Sequence, residues 1–294
     1  MHDHEHRALP ELTLIKVVEN GATGGSGEPG DWTLTGSGPT PITGVTGDAS
    51  ITNAQVKVGS YDLSEAGTAV GYEAGTWSCD GGVLAGSTIT LAEGEKVSCT
   101  IINTALAPTW TVSKSSTPAS GSTVLPGTTV TYTITATHTG GVYPTDLLIT
   151  DDLADVLDNA TLQGEPNPSV GTATLGAASS TLDWQIDTLT GTATLEYTVL
   201  INDDAFDETL HNVVTPPVGS SCEGSCETTH VTPGWRLTKT SDPASGSIVD
   251  PSSTITYTLH ALNTSDATVT GATALDDLSD VLDEANLVQP LSRV

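Results

Sequence analysis

Positive charge is scarce in this chain. Eight Lys and Arg stand against 36 Asp and Glu over 294 residues, for a formal net charge of -28. Phosphate binding needs clustered basic side chains, so nucleic acid is excluded as a partner, and so is docking on an anionic membrane surface. Large apolar side chains are scarce too, with one Phe, one Met, 4% aromatics and a hydrophobic fraction of 36%. That is lean for one large core and suits several small ones, in line with a length for two or three domains. No stretch of about 18 apolar residues exists, so no helix here inserts into a membrane. The start, Met1-His2-Asp3-His4-Glu5-His6-Arg7, lacks the apolar region of a secretion signal.

Catalytic motifs are also missing. The Gly-rich GATGGSG at 21–27 lacks the Lys-Ser/Thr of a phosphate loop, and the seven His form no recognised set. The acidic stretches DDLADVLD and NDDAFDE do not have EF-hand spacing. No external enzymatic activity, metal or cofactor is therefore expected. The HDHEH tail reads as an exposed tail or scar, or as a transition-metal ligand.

What the chain has in quantity is Thr, 50 residues of it, in alternating apolar and polar runs. Such runs form strands. The expected fold is all-β, as tandem β-sandwiches. The four Cys fall into two pairs by position, Cys79 with Cys99 and Cys222 with Cys226, although three pairings are open. They point to an extracellular chain. Without a signal or anchor, such a chain is expected to be a fragment of a longer protein.

The chain repeats itself at an offset of 125 residues. WTVSKSSTPA at 110–119 returns as WRLTKTSDPA at 235–244, and DDLADVLDNATL at 151–162 as DDLSDVLDEANL at 276–287. Four segments follow: a polar tail at 1–9, one module at 10–106, a second at 110–232, and a truncated copy of the second at 235–294. Short Pro-containing linkers, Ala107-Pro108-Thr109 and Thr232-Pro233-Gly234, favour a semi-rigid string. The acidic DDLADVLDNA is expected to make a short helical turn.

Strand phase singles out three lysines. Residues i and i+2 share a strand face. Lys16 is in phase with Leu12 and Leu14, Lys114 with Trp110 and Val112, and Lys239 with Trp235 and Leu237. Each therefore points at a core, where an unpaired ammonium is costly. Inward acids and amides match them: Glu65 after Tyr61 and Leu63, Asn103 after Cys99 and Ile101, Asp151 after Leu147 and Ile149, Asn212 between Leu210 and Val214. Each complete module thus offers Lys, acid and Asn in that order. A dry pocket makes the amine neutral and keeps the acid protonated, so that the amine can attack the Asn carbonyl and release ammonia. The expected product is an isopeptide bond joining first and last strands, with Glu65 and Asp151 as promoting acids. The competing reading is a buried salt bridge with Asn as hydrogen-bond partner. The truncated copy has Lys239 and Asp276 but no Asn strand, so no bond is expected there.

Residues 12–104 resemble the prealbumin-like, SpaA-type or Cna B-type domains of Gram-positive surface proteins and pilins. The resemblance lies in LTLIKVV, DWTLTGSGPTPITG, YDLSEAG, GYEAGTWSC and VSCTIIN. It implies a Lys16–Asn103 bond promoted by Glu65, and it places Cys79 and Cys99 as the disulfide that some of these modules carry. Residues 110–232 resemble the Ig-like conserved-repeat domain of bacterial surface proteins (domain of unknown function eleven), through PGTTVTYTITA, TDDL and LHNVV. His138 departs from that pattern, where Asn263 of the next copy keeps it. For Cys222 and Cys226, a small hairpin disulfide competes with a zinc site that would include His230.

Two functions follow as expectations. One is a stalk or shaft segment of an adhesin on the bacterial cell wall or in the secreted fraction. The other is a ligand-binding adhesin module for a host protein or glycan, with Tyr72, Trp77 and Tyr143 as candidate exposed aromatics. An accessory module of a larger secreted enzyme is a third.

Overall fold

Alternation with a period of two gives each long segment one face for a core and one for water. The structure is a computed structural model that describes residues 8–176 and 180–288. The HDHEH run lies outside the described residues.

The first module holds ten strands: β1 (Glu11–Glu19), β2 (Trp32–Ser37), β3 (Ile42–Gly44), β4 (Ala54–Gln55), β5 (Gly59–Gly67), β6 (Tyr72–Ala74), β7 (Ser78–Asp80), β8 (Val83–Ala85), β9 (Thr88–Leu91) and β10 (Lys96–Ala105). One sheet runs β4-β1-β10-β6, with β7 also on β10, and the other runs β3-β2-β5-β9-β8. β1 and β10 pair in parallel, so the first and last strands of the module are neighbours. Between the sheets lies a core that includes Leu12, Leu14, Leu34, Tyr61 and Ile89. Cys79 faces Cys99 across β7 and β10 and is bonded to it.

The second module continues with β11 (Thr109–Thr117), β12 (Thr129–Gly140), β13 (Thr145–Asp152), β14 (Ala160–Pro168), β15 (Thr172–Leu175), β16 (Thr181–Thr188), β17 (Thr192–Ile201), β18 (Thr209–Thr215), β19 (Ser220–Cys222) and β20 (Glu227–Val231). Its sheets run β14-β17-β12-β11-β19 and β15-β16-β13-β18-β20. The core is a separate cluster that includes Val112, Tyr132, Ile149, Trp184 and Leu195. The expected helical turn is α1 (Ala154–Leu157), whose Val156 is buried in that cluster. Cys222 and Cys226 are bonded and close the loop between β19 and β20. His230, read as a zinc ligand in one alternative, instead hydrogen-bonds Ser116 Oγ at 3.0 Å and Ser122 O at 3.2 Å.

The two modules are tied at their junction through Leu106, the last residue of the first. Leu106 N–H donates to Gly71 O, and Val142 N–H donates to Leu106 O. Gly71, at φ +81°, lies so close to the Gly141 backbone that a Cβ would collide with it.

In the third segment β21 (Trp235–Asp242) pairs with β22 (Thr256–Asn263), and α2 (Ser279–Leu282) repeats α1. Leu237 and Tyr257 are 38% and 41% exposed, whereas their counterparts Val112 and Tyr132 are at 0%. Among the described residues, the apolar face of β21 and β22 is part-exposed. The chain is all-β, built of tandem sandwiches.

Because the two cores are separate clusters, damage to one should spare the other. Trp184 is fully buried and donates its indole N–H to Val170 O at 2.8 Å. Trp184→Ala is expected to cost about 3–5 kcal/mol in the second module. Urea unfolding followed by proteolysis of each module checks it: the second-module transition should move and the first-module transition should stay.

Candidate functional site

In the first module, β1 and β10 bring Lys16 and Asn103 onto one face of one sheet. Lys16 is opposite Ile101 and Val18 opposite Asn103, so the two inward side chains lie two residues apart along neighbouring strands. Both are 2% exposed. Glu65 comes from β5 in the facing sheet. One carboxylate oxygen of Glu65 accepts a hydrogen bond from Lys16 Nζ, and the other accepts from Asn103 Nδ2 at 2.9 Å. A single acid therefore touches both the amine and the amide. The Lys16 Nζ also lies 4.8 Å from the Trp32 ring centroid. Burial lowers the Lys16 pKa, and the hydrogen bond and charge of Glu65 oppose that shift only in part. Asn103 Oδ1 is buried and has no hydrogen-bond partner.

The second module gathers the same three residue types in a different way. Lys114 is on β11 in one sheet, while Asp151 on β13 and Asn212 on β18 belong to the other. β13 and β18 are adjacent, with Asp151 opposite Val214. Lys114 Nζ donates to Asp151 Oδ2 at 2.6 Å, and both side chains are 0% exposed. Asn212 is fully buried as well.

Tyr197, which the strand-phase search did not single out, joins these residues. Its hydroxyl donates to Asp151 Oδ2, and it accepts from Lys114 Nζ at 3.1 Å and from Asn212 Nδ2 at 2.7 Å. Its ring stacks on Tyr132 at 5.3 Å. The signal for it was present, since Ala193, Leu195, Tyr197 and Val199 share the buried face of β17 and a buried phenol needs a partner.

Burial pushes the charges of this group towards neutrality. It lowers the Lys114 pKa against the charge of Asp151, and it raises the Asp151 pKa against Lys114. The Tyr197 hydroxyl is pushed well up, chiefly by burial, and stays protonated. Asp151 Oδ1 and Asn212 Oδ1 are both buried without a partner. A proton on Asp151 turns one of these two acceptors into a donor. The arrangement can thus hold a neutral amine, a protonated acid and an amide together in a site without water.

β18 is not the last strand of the second module. The chain returns through β19 and β20 after Asn212, so Lys114 and Asn212 face each other between sheets. The expectation of first-to-last-strand neighbours fits β1 and β10 alone.

In the third segment Lys239 Nζ lies 2.6 Å from Asp276 Oδ1, the pair expected by repeat, but the side chains are 36% and 27% exposed. The candidate binding aromatics are engaged elsewhere. Trp77 belongs to the first core, Tyr72 bonds Asn20 and Gly27 N–H, and Tyr143 packs edge-on to His138. Among the described residues no group of three or more His, Cys, Asp or Glu is placed to hold a metal.

A family described as Domain of unknown function (DUF7927) matches the chain twice, over residues 109–233 and 234–293. The chain belongs to this family. The two DUF7927 matches fall on the internal repeat and carry Lys114, Asp151 and Asn212 in the first copy. Residues 8–101 match a SpaA-type family described as Prealbumin-like fold domain. No curated protein matches the chain. Among solved structures it is similar to the collagen adhesin of S. aureus, at 10% identity over 88% of this chain and 99% of that one, with a TM-score of 0.26. It is also similar to the full-length major pilin SpaD from Corynebacterium diphtheriae, at 12% identity over 78% and 68%, with a TM-score of 0.24. A third is the C-terminal domain of the Streptococcus agalactiae AgI/II polypeptide BspA, at 12% identity over 50% of this chain and 54% of that one, with a TM-score of 0.25. The chain spans about half the length of this last structure. Likenesses at this level say nothing of function, and the sheets described above define the fold.

His230 gives the site's surroundings a pH dependence. Burial lowers its pKa, so the unfolded chain takes up a proton before the folded one does. Second-module stability should be complete above the ordinary histidine value, about 6.5, and should decline as pH falls below it. Urea unfolding of the second module from about pH 7.5 to about 4.5 checks this. His230→Gln is expected to flatten the decline, and an unchanged slope would contradict the assignment.

Proposed function

We propose that this chain is a shaft segment of a bacterial cell-surface or secreted adhesin, whose complete modules lock themselves with Lys–Asn isopeptide bonds. The observation that carries this reading is the gathering of a buried lysine, an acid and a buried asparagine in both complete modules, directly on Glu65 in the first and through the Tyr197 hydroxyl in the second. The SpaA-type prealbumin-like domain, the tandem sandwiches, the bonded junction between modules and the acidic composition support it. A Gram-positive cell wall is the location this reading implies.

The chemistry balances without a cofactor. In the first module Lys16 passes its ammonium proton to Glu65 within their hydrogen bond. The neutral amine then attacks Asn103 Cγ. Protonated Glu65, in contact with Asn103 Nδ2, is placed to return its proton to that nitrogen as it leaves. The Cγ–Nδ2 bond breaks, nitrogen leaves as ammonia with the transferred proton, Nζ gives up one proton to the freed Glu65 carboxylate, and an Nζ–Cγ amide remains. In the second module Asp151 takes the proton from Lys114, Tyr197 holds the acid and the amide in register, and Asn212 loses ammonia. Folding brings the groups together, so no external enzyme acts. Each bond forms once, which makes the protein its own single-turnover substrate and not an enzyme.

A bond from residue 16 to residue 103 removes most of the first module from the path of a pulling force. Disulfide Cys79–Cys99 covers only part of that span. The buried apolar cores and the engaged Tyr72, Trp77 and Tyr143 favour a shaft over a ligand-binding tip. Single-molecule extension under reducing conditions tests the role. The wild-type first module should stay closed, and Lys16→Ala should release roughly 300 Å of chain at about 3.5 Å per residue. Equal release from the wild type and Lys16→Ala would overturn the shaft reading.

A further inference from the structure

The loop closed by Cys222 and Cys226 is bonded to the two strands that carry Lys114 and Asn212. On the β11 side, Glu223 N–H donates to Val112 O at 2.8 Å and Lys114 N–H donates to Ser225 O at 2.7 Å. On the β18 side, Val214 N–H donates to Cys226 O at 2.9 Å. The Cys226 side chain packs on the second core, and its Sγ lies 3.3 Å from Val112 O. A surface cavity of about 350 Å³ opens beside this loop, between Val213–Pro216 and Cys222–Glu227. These β11 and β18 contacts bridge opposite sheets of the sandwich. Ser225 therefore fixes the backbone of Lys114 itself, and Cys226 fixes a residue two positions from Asn212.

Beyond these backbone bonds, the loop is held by Thr111 Oγ1, which donates to Glu223 Oε2 at 2.8 Å, and by Ser225 Oγ, which donates to Glu227 O at 2.6 Å and accepts from Glu227 N–H at 3.1 Å. Glu223, Gly224 and Ser225 are the three residues between the cysteines, and Gly224 takes a φ of +73°. Released, such a segment gains conformational freedom and its three backbone bonds compete with water. The disulfide restricts that freedom and keeps both sets of bonds in place together.

We propose that the Cys222–Cys226 disulfide is a positioning device for the Lys114–Asn212 bond: the bridged loop clamps β11 to β18, excludes water from the amine, and makes crosslinking of the second module follow oxidation of the cysteines. This rests on the isopeptide reading above. Two reactions are ordered by it. Oxidation removes two electrons and two protons from the two thiols, passed to an external disulfide or a thiol oxidase, and forms the S–S bond. Crosslinking then joins Lys114 Nζ to Asn212 Cγ and expels ammonia, with no change of oxidation state. In a reducing compartment the second module stays an open chain able to thread through a channel, and it locks after export.

The experiment follows ammonia loss with time in the full chain, synthesised under oxidising conditions and held well below its melting temperature. Mass spectrometry of proteolytic fragments reads each module, at about 17 Da per bond by the condensation above. The first module, whose cysteines are untouched, serves as the internal standard. Cys222→Ser/Cys226→Ser is expected to crosslink its second module at least tenfold more slowly than wild type, with the first module unchanged. At that temperature the folded population is saturated, so a disulfide that merely stabilised the fold would leave the rate unmoved. In an Asn212→Ala background, which cannot crosslink, the Lys114 Nζ nitrogen resonance should be that of an amine when the bridge is present and that of an ammonium when both cysteines are Ser. Should the double-Ser chain fail to fold, two glycines inserted after Gly224 with the bridge intact make the second variant, and the same slowing is expected. A second module that crosslinks at the wild-type rate in a folded variant overturns the positioning role alone. A wild-type second module that never loses ammonia overturns the isopeptide reading and this inference with it.

Discussion

Everything in the two complete modules is arranged around an amine that cannot reach water. Strand alternation turns Lys16 and Lys114 inward, and their side chains are 0% exposed. A lone ammonium there would cost several kcal/mol, so each is matched by an acid. In the second module the same core buries the acid too, which raises the Asp151 pKa, lowers that of Lys114 and pulls that pair away from an ion pair and towards amine and carboxylic acid. An amide in contact with the acid, or with a hydroxyl bonded to it, completes the group. The cores that surround it supply dryness, and the strands supply aim.

The third segment separates the contribution of the pair from that of its surroundings. Lys239 and Asp276 meet at the same 2.6 Å as Lys114 and Asp151, and Lys239 lies over Tyr257 as Lys114 lies over Tyr132. Contact and partner are thus preserved at the repeat offset. What differs is burial. An exposed pair of this kind contributes little to stability and keeps its water. Burial, and not contact, is what distinguishes the two pairs among the described residues.

Much of this was legible in the residues. A period of two places a side chain on a face without reference to the rest of the fold, so Lys16, Glu65, Asn103, Lys114, Asp151 and Asn212 were all found by phase. The 125-residue offset exposed the repeat, and α1 was readable in DDLADVLDNA. Phase does not say which strand lies beside which. Hence β18, with two further strands after it, was not foreseen to face β11 across the sandwich. Tyr197 was passed over because Tyr is an ordinary core residue in a strand, and only its hydroxyl contacts reveal the role. The bonds from Ser225 and Cys226 to β11 and β18 are backbone contacts made by a loop, and no side-chain pattern records them.

The proposed locks are covalent, and mass reads covalency directly. Intact mass of the reduced, denatured wild-type chain should fall about 34 Da below the sum of its residues, two ammonia molecules by the condensation derived above. Lys16→Ala and Lys114→Ala should each restore about 17 Da relative to their own sequence mass, and the double variant should show no deficit. A wild-type chain, folded before denaturation, that weighs what its sequence prescribes would contradict the account and leave Lys16 and Lys114 as buried ion pairs.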